Sequence, residues 1–522
     1  MKRISRLAAA IALALGTAVP LAANAELNVT HLGQYTEACD GDTCAEIAAF
    51  SAKANRVYVT NANENQLRIL SVDANGGLSE AGAPIDLSPY GGGPNSVAVF
   101  GDWVAVAVEA DVKTDPGKVL IFDLDGNYLR DLPAGALPDM LTFTPNGRFL
   151  LVANEGEPND DYSIDPEGSV SVIDTRSWQV RTAGFEKYNH RRLRNVRIFG
   201  PNASIAQDLE PEYIAVSADS RTAWVSLQEN NAMAKLDIGS ANVTDLYGLG
   251  YKKHRLGRNA LDASDKDDAI NIQPWPVYGM YQPDAIAAFT RGRHTFILSA
   301  NEGDSRDYDG YSEEARVDDL TLDPAYFPNA DELQDKANLG RLTVTTANGD
   351  KNGDGKYERL YSFGARSFSI WNASGKLVYD SGSELEDSIA AYANGDVDSD
   401  VWDDGRSDNK GPEPESVVVG ELGGEAYAFI GTERTSDVFV YNISDPARPQ
   451  GMFFMDIDHP EGDFDPDVRP EGMQFIQRDR DTGWLLITNE TSNTVSLYEV
   501  RSTGSRHGVH HHGDRHDNGR RH

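Results

Sequence analysis

Residues 138–157 read PDMLTFTPNGRFLLVANEGE, and this stretch sets the pattern for most of the chain. The pair Pro138-Asp139 precedes a short apolar segment, and a turn leads to a second apolar segment that ends at Glu155. Short apolar runs bounded by turn residues are typical of β-strands. The stretch therefore predicts two antiparallel strands, with one acid where the first strand begins and another where the second strand ends.

The same plan recurs along the chain, and such recurrence is the sequence signature of a repeat architecture. Five more units open on Pro and an acid or amide, and one opens without Pro at Ala45-Glu46; the five are Pro94-Asn95, Pro211-Glu212, Pro283-Asp284, Pro414-Glu415 and Pro470-Glu471. Second segments end at Glu109, Glu155, Glu229, Glu302, Glu433 and Glu490, whereas the first unit has Asn61 and Asn63 at its corner. Seven such units predict an all-β fold, a seven-bladed β-propeller.

Two regions extend this plan. The segment from Leu27 to Tyr35 precedes the first unit without a partner, so we expect it to close the ring by completing the last blade. The fifth unit contains about 110 residues between its second strand and the next opening, too many for a structureless connection. We interpret residues near 340–364 as an inserted hairpin and the segment that begins at Arg366 as the third and fourth strands. An eighth blade is the alternative.

The first 25 residues have the features of an export signal. Basic residues precede an apolar stretch, and Ala23-Asn24-Ala25 has the small side chains that a signal peptidase accepts. A membrane anchor is the alternative, but Gly16 and Pro20 interrupt the apolar stretch. We therefore predict a signal peptide over 1–25, a propeller over 26–500 and a disordered tail rich in His, Arg and Gly over 501–522. The protein would be periplasmic or extracellular, and no other segment is apolar enough to span a membrane.

The net charge limits the classes of binding partner, and the two cysteines indicate a disulfide. The 82 acidic residues outnumber the 47 basic ones, so the formal charge is −35. This balance excludes nucleic acid and favours divalent cations. The two cysteines, Cys39 and Cys44, lie close together, and an oxidising compartment favours a disulfide between them; two free thiols or a metal site are the alternatives.

Acids are predicted to meet at one mouth of the propeller pore. Consecutive strands are antiparallel, so the start of each first strand and the end of each second strand lie on the same face. The two resulting series are Glu46, Asp139, Glu212, Asp284, Glu415 and Glu471, and Glu109, Glu155, Glu229, Glu302, Glu433 and Glu490. Such carboxylates would suit a hard cation, calcium first. Alternatively, each acid accepts backbone N–H groups or pairs with Arg.

Within these series we favour the two corners with additional acids. Glu157 follows Glu155, and Asp304 follows Glu302, in loops that contain Gly and several further acids. Dense acids in such loops are poor packing material and good cation ligands.

A separate calcium loop is predicted inside the inserted hairpin. Asp350, Asn352 and Asp354 alternate and Gly355 follows, as in the first half of an EF-hand loop. Tyr361 occupies the position of the usual bidentate Glu, so Glu358 would have to contribute. A polar hairpin turn is the alternative. A further acidic run, Asp463, Asp465 and Asp467, is interpreted as a solvated loop.

The segments NEGDSRDYDGYSEEARVDDL (301–320) and LGRLTVTTANGDKNGDGKYERLYSFGARSFSIWNASGKLVYDSG (339–382) resemble the exported propellers of the choice-of-anchor I family. The resemblance implies the propeller. Some relatives carry an alkaline-phosphatase label, and the family is distantly similar to calcium-using propeller phosphatases and phytase-like esterases. The sequence itself has no G-x-S-x-G, H-E-x-x-H or GxxxxGK motif.

Two functions compete at this stage. The first is a monomeric calcium-binding propeller that binds a ligand or associates with a surface. The second is a metal-dependent phosphoesterase, in which a cation held by Glu155, Glu302 and Asp304 would bind a phosphate ester and activate water. The second function also needs a positive group for the phosphate, and the candidates are Arg306, Arg316, Arg366 and Arg434.

Overall fold

The structure is a computed structural model, and it describes residues 26–39, 41, 44–397, 399, 401–460 and 464–503. The predicted signal peptide, most of the predicted tail and Asp463 lie outside these residues. The last described strand extends to Ser502, beyond the predicted end of the propeller at residue 500.

Antiparallel sheets of four strands dominate the described chain, as the repeat predicts. Short apolar runs form the inner strands, for example WVAVAV in β8 and FLLVAN in β12, and turns that contain Gly, Asn or Asp separate many of the strands. In chain order, the strands before the fifth repeat are β1 (Leu27–Thr36); β2 (Ala48–Ser51), β3 (Arg56–Asn61), β4 (Gln66–Val72), β5 (Leu78–Glu80) and β6 (Ile85–Asp86) in sheet 1; β7 (Pro94–Phe100), β8 (Trp103–Val108), β9 (Pro116–Asp123) and β10 (Tyr128–Ala136) in sheet 2; β11 (Pro138–Phe143), β12 (Phe149–Asn154), β13 (Ser169–Asp174) and β14 (Gln179–Gly184) in sheet 3; and β15 (Ile214–Val216), β16 (Thr222–Leu227), β17 (Ala232–Asp237) and β18 (Asn242–Gly248) in sheet 4.

The remaining strands form three more repeat sheets and an insertion. They are β19 (Tyr251–Lys253), β20 (Val277–Met280), β21 (Ile286–Arg291), β22 (His294–Asn301), β23 (Asp307–Tyr308), β24 (Tyr311–Ser312), β25 (Glu314–Arg316), β26 (Thr343–Thr345), β27 (Leu360–Ser362), β28 (Ser367–Asn372), β29 (Leu377–Asp380), β30 (Pro414–Leu422), β31 (Glu425–Thr432), β32 (Asp437–Asn442), β33 (Gln450–Asp456), β34 (Pro470–Gln477), β35 (Thr482–Asn489) and β36 (Thr494–Ser502). Sheet 5 has the order β21-β22-β28-β29, sheet 6 the order β30-β31-β32-β33 and sheet 7 the order β34-β35-β36-β1.

Helices are short and lie in the connections. The α-helices are α1 (Ile205–Asp208), α2 (Ala330–Leu333) and α3 (Glu384–Tyr392), and 3₁₀ turns occur at Glu186–Tyr188, Gly257–Asn259, Val317–Asp319 and Asp404–Arg406. Within the described residues, none of the helices is long and apolar enough to cross a membrane.

The sheets pack side by side, as in a β-propeller. The first strands of consecutive sheets contact each other, and β2 of sheet 1 also contacts β34 of sheet 7. Each pair of neighbouring sheets shares an apolar cluster, for example Ala105 and Ala107 of sheet 2 against Leu141 and Leu150 of sheet 3. The first strands of sheets 3 to 7 line a cavity of about 330 Å³, with Met140, Ala287, Val418 and Phe475 on these strands and Tyr213 directly before β15.

The insertion does not follow the repeat. Strands β19, β20, β27, β26 and β25 form one sheet in which β20 and β27 are parallel. This sheet has an apolar core of its own that includes Leu261, Trp275, Phe327 and Leu342. Strands β26 and β27 are antiparallel and flank the predicted calcium loop, and β28 and β29 supply the outer strands of sheet 5.

The first strand pairs with the last. Strand β1 runs antiparallel to β36, from Leu27 opposite Ser502 to Thr36 opposite Thr494. The disulfide between Cys39 and Cys44 follows β1, with a Cα separation of 6.6 Å. Asn493, at the start of β36, accepts a hydrogen bond from the Cys44 N–H at 3.1 Å. The disulfide prediction is confirmed.

Asp467 joins β1 to β36, and its interpretation as part of a solvated loop was wrong. The residue is fully buried. Its carboxylate accepts hydrogen bonds from Thr494 (2.6 Å), Ser496 (2.9 Å) and Tyr498 (2.8 Å) on β36, and from Gln34 (2.8 Å) on β1. An acid that accepts from four donors, three of them buried, belongs to the packed sheet.

Replacing Asp467 with Ala should therefore destabilise the protein. The buried donors on β36 would lose their acceptor, at a cost of about 3 kcal/mol in the free energy of unfolding. Urea unfolding of both proteins would measure this change. Asp465→Ala provides the matched control, because Asp465 is exposed two residues away and should change stability by less than about 0.5 kcal/mol. Equal effects of the two variants would contradict the role given to Asp467.

Candidate functional site

A recurring backbone hydrogen bond places the acids of the two series side by side. The N–H of the corner Glu donates to the carbonyl of the residue that precedes the opening of its own unit. These pairs are Glu109 with Gly93 (3.0 Å), Glu155 with Leu137 (2.8 Å), Glu433 with Glu413 (2.9 Å) and Glu490 with Arg469 (2.9 Å). In sheet 5 the donor is one residue further along the chain: the Gly303 N–H donates to the Gln282 carbonyl at 3.2 Å. The bond joins the start of the first strand to the end of the second strand.

The residue before the opening proline adopts an unusual conformation at four of these positions. Leu137, Gln282, Glu413 and Arg469 have φ of 45°, 41°, 53° and 62°. Left-handed backbone costs a non-glycine residue about 1–2 kcal/mol, so the surrounding structure must compensate for it. The repetition of this conformation at equivalent places indicates that it belongs to the repeat and not to a single site.

The acids at the starts of the first strands repel one another. Burial raises the pKa of Glu46 to about 8, with Glu490 and Asp139 adding repulsion. Burial likewise raises the pKa of Asp139 to about 7, and Asp284 adds to the effect. The pKa values of Glu212, Glu415 and Glu471 lie well above the ordinary value for the same reasons, burial first and neighbouring carboxylates second. Acids from different sheets are therefore close enough to interact at one mouth.

Two groups of carboxylates stand out at this mouth. The Glu229 cluster consists of Glu155, Glu212 and Glu229, whose nearest oxygens lie within 4.8 Å of one another. The Glu302 cluster consists of two overlapping triplets with the same spacing, Asp284 with Glu302 and Glu415, and Glu302 with Glu413 and Glu433. Each cluster draws on neighbouring sheets, sheets 3 and 4 for the first and sheets 5 and 6 for the second.

The carboxylates of the Glu229 cluster have no ion-pair partner among the described residues, although Arg197 donates to the backbone carbonyl of Glu229. The Oε2 atoms of Glu212 and Glu229 are buried and have no hydrogen-bond partner in the described chain. Burial, with repulsion from Glu157 and Glu212, raises the pKa of Glu155 well above its ordinary value. The cluster holds a concentration of negative charge for which a cation is the simplest counterpart.

The Glu302 cluster already contains a cation. Lys410 forms an ion pair with Glu302, and its Nζ lies 3.4 Å from Glu413. Arg434 donates to Glu413 at 3.1 Å, and Arg406 forms a second ion pair with Glu413. Burial alone would raise the pKa of Glu413, but Lys410, Arg406 and Arg434 reverse the effect and lower it. Gln228 also donates to Glu302 at 2.8 Å.

The two favoured corners lie next to each other. Glu157 accepts hydrogen bonds from Lys113 and Tyr308, both at 2.8 Å. The Gly310 N–H donates to the Asp160 carbonyl at 2.8 Å, which joins the loop after Glu302 to the loop after Glu155. Burial and the carboxylates of Glu302 and Glu229 raise the pKa of Asp304 well above its ordinary value, although Lys410 opposes the shift. Asp304 therefore interacts with both clusters.

Three of the four arginines considered for phosphate binding are engaged in other interactions. Arg306 is buried and forms ion pairs with Asp208 and with Glu210, the latter at 2.7 Å. Arg366 is buried against Glu386 at 2.8 Å, and Arg316 lies 3.0 Å from Asp408. Only Arg434 contacts the carboxylate clusters, and it is paired with Glu413 and Glu433.

The predicted calcium loop forms a tight polar turn. The Asp350 carboxylate accepts N–H groups from Gly353 (2.7 Å) and Gly355 (2.8 Å), and Asn352 accepts from Asp354 at 2.9 Å. Glu358 accepts from the Lys351 N–H and the Asn352 side chain. Among the described residues, these acids do not form one of the close carboxylate triplets. Calcium binding at this loop stays a prediction.

Sequence reasoning missed Lys410 and Glu413. Lys410 lies in the connection before the sixth unit, and the repeat assigns no role to that position. Glu413 precedes Pro414 directly, but other units have Leu, Gln, Glu, Gly or Arg at the equivalent place. The alternative that acids pair with neighbouring basic groups describes Glu302, Glu413 and Glu433, whereas the cation alternative suits Glu155, Glu212 and Glu229.

Replacing Arg306 should test whether it supports the structure. Arg306→Met would leave Asp208 and Glu210 buried without their positive partner, which should lower the free energy of unfolding by about 3–5 kcal/mol. Arg316→Met is the matched control, because Arg316 is partly exposed and should cost about 1 kcal/mol or less. Chemical unfolding would compare the two variants. Wild-type stability in Arg306→Met would instead leave this guanidinium available for a ligand.

Several known proteins are similar to this chain. A family model for the choice-of-anchor I domain matches residues 46–446. Gigasin-3a of Magallana gigas is 37% identical over 121 residues, which are 22% of this chain and 42% of that protein. A mesenchyme-specific cell surface glycoprotein of Strongylocentrotus purpuratus is 24% identical over 377 residues, which are 62% of this chain and 46% of that protein. The chain thus spans less than half the length of these curated relatives.

Solved structures are similar in overall shape only. Hydrazine synthase of Kuenenia stuttgartiensis has a TM-score of 0.46 and 11% identity, with 90% of this chain and 99% of that chain covered. The WD40 domain of Toxoplasma gondii coronin has a TM-score of 0.43 and 10% identity, with 92% and 90% covered. These values carry no argument about function.

Proposed function

This chain belongs to the choice-of-anchor I family, and from this premise we propose that it is an exported, surface-associated propeller of seven blades that binds a divalent cation at one mouth, calcium first. The observation that carries the proposal is the Glu229 cluster, in which three carboxylates meet without an ion pair among the described residues. Recognition of a further ligand at this face would be the biological role. The periplasm or the cell exterior is the proposed location.

The number of blades rests on packing. Sheets 1 to 7 share the strand order of the repeat, and their first strands contact each other in sequence. The contact between β2 and β34, together with the pairing of β1 with β36, supports a closed ring. The inserted sheet contains a parallel pair of strands, which disfavours an eighth blade.

Electrostatics supports a cation at the Glu229 cluster. Three carboxylates that lose solvent together must either take up protons or bind a cation, because a buried unpaired charge is costly. Calcium accepts carboxylate oxygens in a flexible geometry and can keep water ligands, which suits a three-carboxylate site. Asp304 and Glu157 lie near enough to add negative charge.

The proposed location at the cell surface is supported by the name of one relative. The sea-urchin protein is named as a cell surface glycoprotein, and the proposal extends such a location to this chain. A rigid ring of sheets can display a cation at a fixed place, and sites on rigid elements can be preorganised for a ligand.

The phosphoesterase alternative has less support. A phosphate ester near these acids would need positive groups that are not already neutralised. Arg306 and Arg366 are buried in ion pairs, and Arg434 and Lys410 contact carboxylates of the Glu302 cluster. A bound divalent ion would have to supply the positive charge alone.

Glu229→Gln should change stability in opposite directions with and without calcium. In a chelator the substitution removes one of three repelling charges, so the melting temperature should rise. In millimolar calcium it removes a ligand charge, so the calcium-dependent increase should shrink; wild-type protein should gain about 2.7 kcal/mol at 100 times Kd. Thermal melts under both conditions would measure the two effects.

The controls separate the candidate calcium sites. Glu421→Gln removes an exposed charge elsewhere and should leave the calcium effect unchanged. Asp350→Asn alters only the hairpin loop. A calcium effect that survives Glu229→Gln and disappears in Asp350→Asn would assign the cation to the loop. A wild-type melting temperature that is identical in chelator and in calcium would refute the proposal.

A panel of phosphate esters should distinguish binding from hydrolysis. We expect no calcium-dependent hydrolysis, because the basic groups near the clusters are already paired. Product release would be followed with calcium, with other divalent ions and with chelator. Hydrolysis that needs a divalent ion and is lost in Glu302→Gln, but persists in Asp350→Asn, would establish the phosphoesterase instead.

A further inference from the structure

The two carboxylate clusters at the mouth differ in how their charge is balanced. Each contains acids whose oxygens approach within 4.8 Å, the spacing of ligands around one cation. In the Glu229 cluster no basic side chain of the described chain forms an ion pair with the carboxylates, although Arg197 donates to the backbone carbonyl of Glu229 at 2.6 Å. In the Glu302 cluster the Lys410 ammonium contacts Glu302 and Glu413.

Lys410 lies within the acid group and is largely withdrawn from water. Only 13% of its side chain is exposed. Burial lowers its pKa, but Glu302, Glu413 and Asp304 outweigh burial and raise it, so the amine stays charged. Burial raises the pKa of Asp284 and of Glu433, and the Lys410 charge opposes both shifts, so Lys410 interacts with both triplets of the cluster.

We infer that the Lys410 ammonium is a tethered counter-ion that occupies a second cation site of the mouth, so that the Glu302 cluster accepts a divalent cation only when this charge is removed. An ammonium group is a compact point charge with three donors, and it can lie among carboxylate oxygens much as a small cation does. The inference rests on the proposed function, because it concerns how many cations the mouth binds.

Two arginines balance part of the negative charge of the Glu302 cluster. Arg406 pairs with Glu413, and Arg434 lies 3.1 Å from both Glu413 and Glu433, so two of the five acids are already balanced without Lys410. The other three, Asp284, Glu302 and Glu415, would face each other without a positive charge once the ammonium is removed. Loss of the ammonium should leave a site with at least the charge of the Glu229 cluster.

Calcium stoichiometry of the full-length chain tests the inference, with calcium alone as the probe. Lys410→Met keeps the length of the side chain and removes its charge, so it should bind one more calcium ion per chain than wild type. Lys410→Arg keeps the charge and should bind the wild-type number. Titration calorimetry after removal of bound metal would count the ions.

A matched control removes another positive charge from the same mouth. Lys113 pairs with Glu157 at 2.8 Å and forms no ion pair with the carboxylates of either cluster. Lys113→Met should bind the same number of ions as wild type. An extra ion in Lys113→Met as well would show a general effect of charge, and it would overturn the specific role of Lys410.

If Lys410→Met folds poorly, its melting temperature with and without calcium provides a second test. The variant should melt below wild type in chelator, and millimolar calcium should raise its melting temperature more than that of wild type. A folded Lys410→Met protein with the wild-type stoichiometry, or a variant that calcium does not stabilise further, would refute the inference. Wild-type protein that binds no calcium, together with a Lys410→Met variant that binds one ion, would refute the proposed function and leave the inference standing.

Discussion

One backbone hydrogen bond, repeated in sheets 2, 3, 5, 6 and 7, fixes the corner of each of these sheets and thereby the position of its acids. It joins the N–H at the end of the second strand to the carbonyl before the opening of the first strand, as in Glu155 and Leu137. The bond brings the acid after the proline and the acid at the corner to the same end of each sheet. Because the sheets pack with their first strands together, units 3 to 7 each bring two acids to the same end of the sheets, and units 1 and 2 bring one acid each.

The concentration of carboxylates that results has to be balanced, and the molecule does so in different ways around the mouth. Lys410, Arg406 and Arg434 balance the acids of sheets 5 and 6. Arg306 lies near sheet 4 but forms its ion pairs with Asp208 and Glu210, so the carboxylates of the Glu229 cluster have no ion-pair partner among the described residues. Repeats that look alike in sequence are therefore not equivalent in charge, and this asymmetry is what separates a structural acid from a candidate ligand.

The sequence was sufficient to predict the strands, the repeat and the acid series, because these depend on local patterns of apolar residues and on the position of Pro and Glu. The disulfide followed from the spacing of two cysteines. The partners of the acids could not be predicted, because Lys410 and Arg406 reach them from the connection before the sixth unit, and these connections differ from unit to unit. Asp467 was misjudged for a related reason. Its run of neighbouring acids suggested solvent, whereas its actual partners are hydroxyl groups on β36 and an amide on β1.

The pairing of β1 with β36 has a further consequence, for incomplete chains. Strand β36 is an inner strand of sheet 7 only because β1 covers one of its edges. A chain that lacks either strand would present a row of unpaired backbone groups along an apolar sheet, and such edges associate with other molecules. The pairing of β1 with β36 therefore covers the edge of β36, and it prevents this edge from pairing with a strand of another molecule.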